Sequence, residues 1–104
     1  NAIKKLKMKP YFEKMTKKAN IDVKNLNTKV INFDESNPLA SNLSKVEVEL
    51  RVPEISIPRL VSFVSNIEKS GNYLRLKDIK ITGQYGNKLY FDVNMVFSGY
   101  KIKG

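Results

Sequence analysis

Residues 45–82 read KVEVELRVPEISIPRLVSFVSNIEKSGNYLRLKDIKIT, and the spacing of apolar side chains changes twice within this stretch. Residues 45–52 alternate apolar and charged side chains, which predicts a strand with one buried face. Residues 57–67 then carry apolar side chains at the i, i+3, i+4 spacing of an amphipathic helix. Because apolar residues return at short spacing after Gly71, the stretch predicts a strand, a helix and a further strand.

Proline, serine and glycine set the predicted ends of these elements. Pro53 is expected to end the first strand, because proline cannot donate to the hydrogen-bond ladder. Ser56 is expected to cap the helix, with Pro58 in its first turn. Gly71 is expected to end the helix, because glycine adopts the left-handed conformation at little cost.

The strand predicted over residues 74–83 changes the parity of its apolar residues. Leu76 lies at an even position, whereas Ile79 lies at an odd one. One extra residue near Lys77 and Asp78, a β-bulge, would return the apolar residues to a single face. We therefore predict a bulge at this point of the strand.

A hairpin is predicted to join this strand to the last one. Residues 84–88 read QYGNK, with Gly86 and Asn87 expected at the tip of the turn. Residues 89–97 then alternate apolar and polar side chains almost throughout, which predicts the second well-patterned strand.

The first half of the chain follows the same order of elements. A helix is predicted over residues 10–19, and Asn20 is expected to end it in the left-handed conformation. A strand within residues 21–33 and a loop over residues 34–44 are predicted to follow. The apolar stripe of the predicted helix consists of Tyr11, Phe12, Met15 and Ala19.

The predicted order, helix–strand–strand used twice, indicates a two-layer α+β domain with both helices on one face of a four-stranded antiparallel sheet. This order predicts a ferredoxin-like fold, whose usual order is βαββαβ, circularly permuted so that its first strand comes last. The permuted strand order places residues 45–52 and 89–97 at the centre and the weaker strands at the edges. We assign the domain to residues 10–104. Residues 1–9 are read as a basic extension, a tag remnant followed by the end of a coiled coil.

The net charge of +9 is concentrated near the N-terminus. Residues 1–29 carry nine Lys and two acidic residues, whereas the rest of the chain carries ten basic and eight acidic residues. Nucleic acid or an anionic membrane surface would explain this excess, and so would a solvated helix face. Only 3 of the 19 basic residues are Arg, although Arg is the usual reader of phosphates and bases.

The residue types that most often carry catalysis are missing. The chain has no His and no Cys, so the usual general base and the usual zinc ligands are absent. Glu47 and Glu49 alternate with Lys45 and Arg51, a pattern typical of a charge ladder on a solvated strand face. We therefore predict no catalytic residue, no cofactor and no metal site.

A small basic nucleic-acid-binding domain is the alternative function. Tyr90 and Tyr100 share the outward parity of the last strand, where an RNA-binding sheet presents its aromatics. The segment KLYFDVNMVF lacks the glycine–aromatic pattern of such sheets, and Asp92, Glu47 and Glu49 would repel phosphate on the same face. Binding to nucleic acid is expected to be weak and without sequence preference.

The segments VEVELRVPEISIPRLVSFVSNIEKSGNYLRLKDIKIT and LYFDVNMVFSGY are similar to the extracytoplasmic domain of the PilO family and its type II secretion relative GspM. The shared features are the alternating strand, the helix L-V-x-F-V-x-x-I-E-K-S, the strand L-R-L-K-D-I-K-I and a last strand ending in an aromatic residue. The segment MKPYFEKMTKKANIDVKNL resembles the first helix and strand of the same family.

The resemblance implies an inner-membrane protein with this domain in the periplasm. Such proteins assemble a type IV pilus or a type II secretion pseudopilus without catalysing a reaction or binding a small-molecule substrate. They form homodimers or pair with a similarly folded protein of the PilN or GspL type. We expect the interface among Tyr11, Phe12, Met15, Tyr85, Tyr90 and Tyr100.

Overall fold

The computed structural model describes residues 7–84 and 86–102, which form two helices and four strands. In chain order these are α1 Met8–Lys18, β1 Asn25–Asn32, β2 Leu43–Ser56, α2 Ile57–Glu68, β3 Arg75–Gln84 and β4 Asn87–Ile102. The strands form an antiparallel sheet in the order β1-β2-β4-β3. The predicted two-layer α+β architecture is confirmed, as is the central position of the two alternating strands.

Phe97 on β4 joins both helices to the sheet. Its ring centroid lies 5.3 Å from that of Phe12 on α1 and 6.2 Å from that of Phe63 on α2. All three side chains are fully buried, so one core connects the helices to the central strands. The central strands contribute the alternating residues Val46, Val48, Leu50, Val52, Val93 and Met95 to this core.

The expectation that Pro53 ends its strand is wrong, because β2 continues to Ser56. The pairing of β2 with β4 shifts register between Val52 and Ile55, so Pro53 lies in an irregular step of the ladder. Glu54 there has a φ of 54°, and its N–H donates a hydrogen bond to Asp92 Oδ1 at 3.2 Å. This bulge lets a central strand tolerate a residue that lacks an N–H.

The predicted helix ends are confirmed in part. α1 begins at Met8, before the expected start at Pro10. Met8 is also buried, so the core of the domain includes a residue of the predicted basic extension, residues 1–9. Asn20 adopts the expected left-handed conformation, with a φ of 55°. Ser56 is the N-cap of α2, but its side chain donates or accepts no capping hydrogen bond. Gly71 is left-handed, whereas α2 already ends at Glu68.

The bulge predicted in β3 is confirmed. Leu76 lies opposite Phe97 and Asp78 lies opposite Val96, which leaves Lys77 as the extra residue. The hairpin is also found, since β3 ends at Gln84 and β4 begins at Asn87. Asn87 already pairs with Gln84, so its expected place at the tip of the turn is wrong.

Candidate functional site

An apolar groove runs between α2 and the edge strand β3. We call it the α2–β3 groove, and it encloses about 550 Å³. Its apolar lining consists of Ile57, Leu60, Val61, Val64, Leu76, Ile79 and Ile81. Because β3 is an edge strand, the groove opens at the rim of the sheet as well as above it.

The groove leaves large apolar side chains in water. Val61 is 60% exposed, Ile81 46% and Ile57 39%. Leu60 and Ile67 of the same helix are buried, so the apolar stripe of α2 is wider than the core requires. A contiguous exposed apolar surface on a small domain is typical of an interaction site.

A hydrogen bond fixes how α2 lies beside β3. The backbone N–H of Leu76 donates to Glu68 Oε2 at 3.0 Å. The end of α2 therefore lies beside the beginning of β3, and the first turn of α2 lies toward Ile81. Lys69 and Arg75 add positive charge at the end of the groove near Glu68.

A second groove, between α1 and the segment that leads into β1, gathers much of the positive charge. It encloses about 750 Å³ and has half-buried Val23 and Leu26 in its wall. We call it the α1–β1 groove. Its charged lining consists of Lys9, Lys14, Lys17, Lys24 and Glu13. Such a surface attracts anions through a salt-sensitive, long-range field.

Three of the predicted interface residues belong to α1, and the structure turns them mainly toward the core. Phe12 is fully buried, so its assignment to an interface is wrong: the side chain cannot reach a partner without unfolding the domain. Tyr11 and Met15 are half-buried and pack against the same core. The Tyr11 hydroxyl is buried and has no hydrogen-bond partner among the described residues.

Two of the other predicted interface residues, Tyr90 and Tyr100, lie on β4. Tyr90 is 45% exposed and Tyr100 38%, whereas Tyr85 lies outside the described residues. Tyr100 stacks on Phe33, with the ring centroids 6.4 Å apart. Tyr90 and Tyr100 are separated by about 33 Å along the strand at ~3.3 Å per residue. The structure therefore does not bring Tyr90 and Tyr100 together in one aromatic surface.

The outward face of the sheet carries an ion pair across its centre. Lys77 of β3 donates a hydrogen bond to Glu47 Oε2 of β2. This hydrogen bond, aided by the charges of Lys77, Lys45 and Lys29, holds the pKa of Glu47 below its ordinary value. Glu47 is therefore ionised at neutral pH and is poorly suited to donate a proton.

Two further observations concern metal binding and membrane-spanning helices. In the part of the chain that the structure describes, no three acidic residues come close enough together to hold a metal ion. Neither α1 nor α2 has the length and hydropathy needed to cross a membrane.

The α2–β3 groove escaped the sequence-based prediction of an interface. Ile57 and Val61 belong to residues 57–67, whose apolar spacing predicts an amphipathic helix but not how much of its apolar stripe is covered. Two signals together indicate the groove: a stripe that extends around the helix, and the placement of residues 74–83 at a sheet edge.

A scan of the chain against protein-family models found no match, and comparisons with curated proteins and with solved structures found none either.

Proposed function

We propose that this chain is a non-catalytic assembly domain of an inner-membrane platform protein of the PilO or GspM type. In this role it holds together part of the machinery for type IV pilus biogenesis or type II secretion. The parent protein is anchored in the inner membrane, and the domain lies in the periplasm. It acts by pairing with a second copy or with a similarly folded protein of the PilN or GspL type.

The observation that carries this proposal is the apolar α2–β3 groove beside an open sheet edge. An edge strand can pair with a strand of another chain through its unpaired backbone groups. Burial of the exposed side chains of Val61 and Ile81 in the same step would stabilise the complex by roughly 25 cal/mol per Å² of apolar area removed from water. The groove and the edge strand beside it therefore offer a partner both backbone hydrogen bonds, which are directional, and apolar surface to bury, which is not.

The fold supports the same function. The helix–strand–strand order occurs twice, and the strands form an antiparallel sheet in the order β1-β2-β4-β3. In that arrangement the helices cover one face of the sheet, and the edges remain available for assembly.

The test is binding to a periplasmic domain of the PilN or GspL type from the same source. We expect a concentration-dependent complex or self-association in sedimentation velocity. A chain that stays monomeric at high concentration and binds neither partner would contradict the proposal. The parent sequence supplies a second test, because a stretch of ~20 apolar residues before residue 1 is expected.

The lysines of the α1–β1 groove favour nucleic-acid binding as a second candidate function. Neutralising phosphates with lysine releases counterions, so such binding weakens steeply as salt is added. Labelled single strands should be titrated at low salt and at ~150 mM salt. We expect weak binding without sequence preference, in or above the ~10⁻⁶–10⁻⁴ M range of non-specific complexes.

A matched pair of charge reversals locates any such binding. Lys14→Glu changes the α1–β1 groove, whereas Lys101→Glu changes the net charge equally on β4, outside the lining of that groove. A larger loss of affinity for Lys14→Glu assigns the binding to the groove. Sequence-selective, submicromolar binding at ~150 mM salt would favour nucleic-acid recognition over assembly.

A further inference from the structure

We propose that the α2–β3 groove is a homodimer interface in which two copies of β3 pair antiparallel about a two-fold axis at Ile79. The inference rests on the proposed assembly function and adds the surface, the partner and the register. The partner is a second copy of this chain. The product is a continuous eight-stranded sheet, four strands from each copy, with all helices on one face.

The charges on β3 select both the partner and the register. Asp78 and Lys80 lie opposite Val96 and Asn94 of β4, so both side chains lie on the outward face of the sheet. In the free chain Asp78 Oδ1 accepts a hydrogen bond from the N–H of Ile79 at 3.0 Å, and pairing about an axis at Ile79 replaces this bond with one between the two strands. Each Asp78 then lies opposite Lys80 of the second copy, and two opposite-charge pairs form. With the axis at Lys80, that residue would lie opposite itself and repel its copy.

With the same two-fold axis, each copy occupies the α2–β3 groove of the other. A two-fold axis perpendicular to the sheet brings the α2 helices of both copies side by side, because both helices lie on the same face. Val61 and Ile79 line the groove together, so Val61 of each copy meets its counterpart near the axis. This contact removes the most exposed apolar side chain of the groove from water.

The opposite edge of the sheet lacks this self-complementarity. The outward residues of β1 lie opposite Lys45, Glu47, Glu49 and Arg51 of β2, and they are Ile31, Lys29, Asn27 and Asn25. They include a cation but no carboxylate, so pairing of β1 with itself offers no opposite charges. Of the two edges, β3 alone carries an acid and a base in a self-matching order.

The bulge at Lys77 shortens the proposed pairing. It places Lys77 opposite Ile81 of the second copy and ends the regular ladder there. A short ladder beside a compact apolar contact is expected to give a dissociation constant of about 1 μM or weaker. The dimer should therefore dissociate on dilution.

The register is tested by charge exchange in the 104-residue chain, with sedimentation velocity over a concentration series. Asp78→Lys places Lys opposite Lys80 twice and should weaken dimerisation about tenfold. The double variant Asp78→Lys with Lys80→Asp restores opposite charges across the axis and should recover most of that loss. A double variant no tighter than Asp78→Lys overturns the register.

The surface is tested by a matched pair of variants. Ile81→Lys and Val30→Lys each add a charge at a half-exposed position of an edge strand, on β3 and on β1. We expect Ile81→Lys to weaken the dimer at least tenfold and Val30→Lys to leave it unchanged. Circular dichroism confirms that both variants are folded.

The outcomes separate this inference from the function on which it rests. A dimer that survives Ile81→Lys but is lost in Val30→Lys overturns the β3 surface and leaves the assembly function standing. A monomeric wild-type chain that binds only a PilN- or GspL-type domain overturns the second copy as partner. A chain that associates with neither overturns both proposals.

Discussion

Lys77, the extra residue of the β3 bulge, donates a hydrogen bond to the Glu47 carboxylate of β2, two strands away. Glu47 lies opposite Ser98 of β4, so the ion pair passes over the strand between them. The bulge therefore does more than return Ile79 to the helix-facing side. It also places a lysine where it can join three neighbouring strands on the outward face.

The first prediction concerns the pH dependence of this ion pair. Lys77 holds the pKa of Glu47 below its ordinary value of 4.5, so the pair stabilises the fold above that pH. Its contribution should be lost as the pH falls through the lowered pKa. Urea unfolding at pH 7 and pH 3 should show a smaller acid-induced loss of stability in Lys77→Met than in the wild type. Equal losses would contradict the assignment.

The second prediction concerns Phe12, which is buried between α1 and the sheet. Phe12→Ala should lower the free energy of unfolding by about 3–5 kcal/mol, because it leaves a cavity beside Phe97. Lys14→Ala on the exposed side of the same helix is the control and should change stability by less than ~0.5 kcal/mol. If Phe12→Ala weakened self-association while preserving stability, the residue would belong to an interface after all.

The third prediction concerns Gly99, where β4 passes under two core side chains. A Cβ at this position would lie 2.6 Å from Leu74 Cδ2 and 3.3 Å from Met8 Cε. Because Leu74 is buried, it can move only by disturbing its neighbours, so Gly99→Ala should cost about 1–3 kcal/mol. Gly83→Ala meets no atom within 4 Å and serves as the control. Equal melting temperatures for the two variants would disprove the steric argument.

The fourth prediction concerns Glu54 in the β2 bulge. Its φ of 54° lies in the left-handed region, where a Cβ clashes with the backbone. Glu54→Gly should therefore be more stable than Glu54→Ala by about 1 kcal/mol, since both variants remove the carboxylate and only one removes the Cβ. Thermal unfolding of the two variants measures the difference. A more stable alanine variant would show that the backbone relaxes at this position.

Local patterns were sufficient wherever a structural feature depends on residues close together in the chain. The strand at residues 45–52 is recognisable because one face is buried and period-two alternation follows directly. The bulge at Lys77 is recognisable because a single inserted residue inverts that alternation. Asn20 and Gly71 are left-handed because their own side chains, or the lack of one, permit it.

The candidate site was less accessible to the sequence. An apolar helical stripe does not reveal how much of it the sheet will cover, so periodicity alone does not distinguish buried Phe12 from exposed Val61. Phe12 is buried because α1 packs against the core, whereas Val61 is exposed because it faces the groove beside an edge strand. Coverage of this kind depends on strand order and helix placement rather than on periodicity.

The order of elements, the buried faces of the central strands and the bulge in β3 can all be predicted from the chain alone, because each follows from the chemistry of neighbouring residues. Three other features depend instead on contacts between segments far apart in the chain. Pro53 remains within a strand, Lys77 pairs with Glu47, and the α2–β3 groove stays open. Such contacts exist only after the sheet has been assembled and the helices have packed on it.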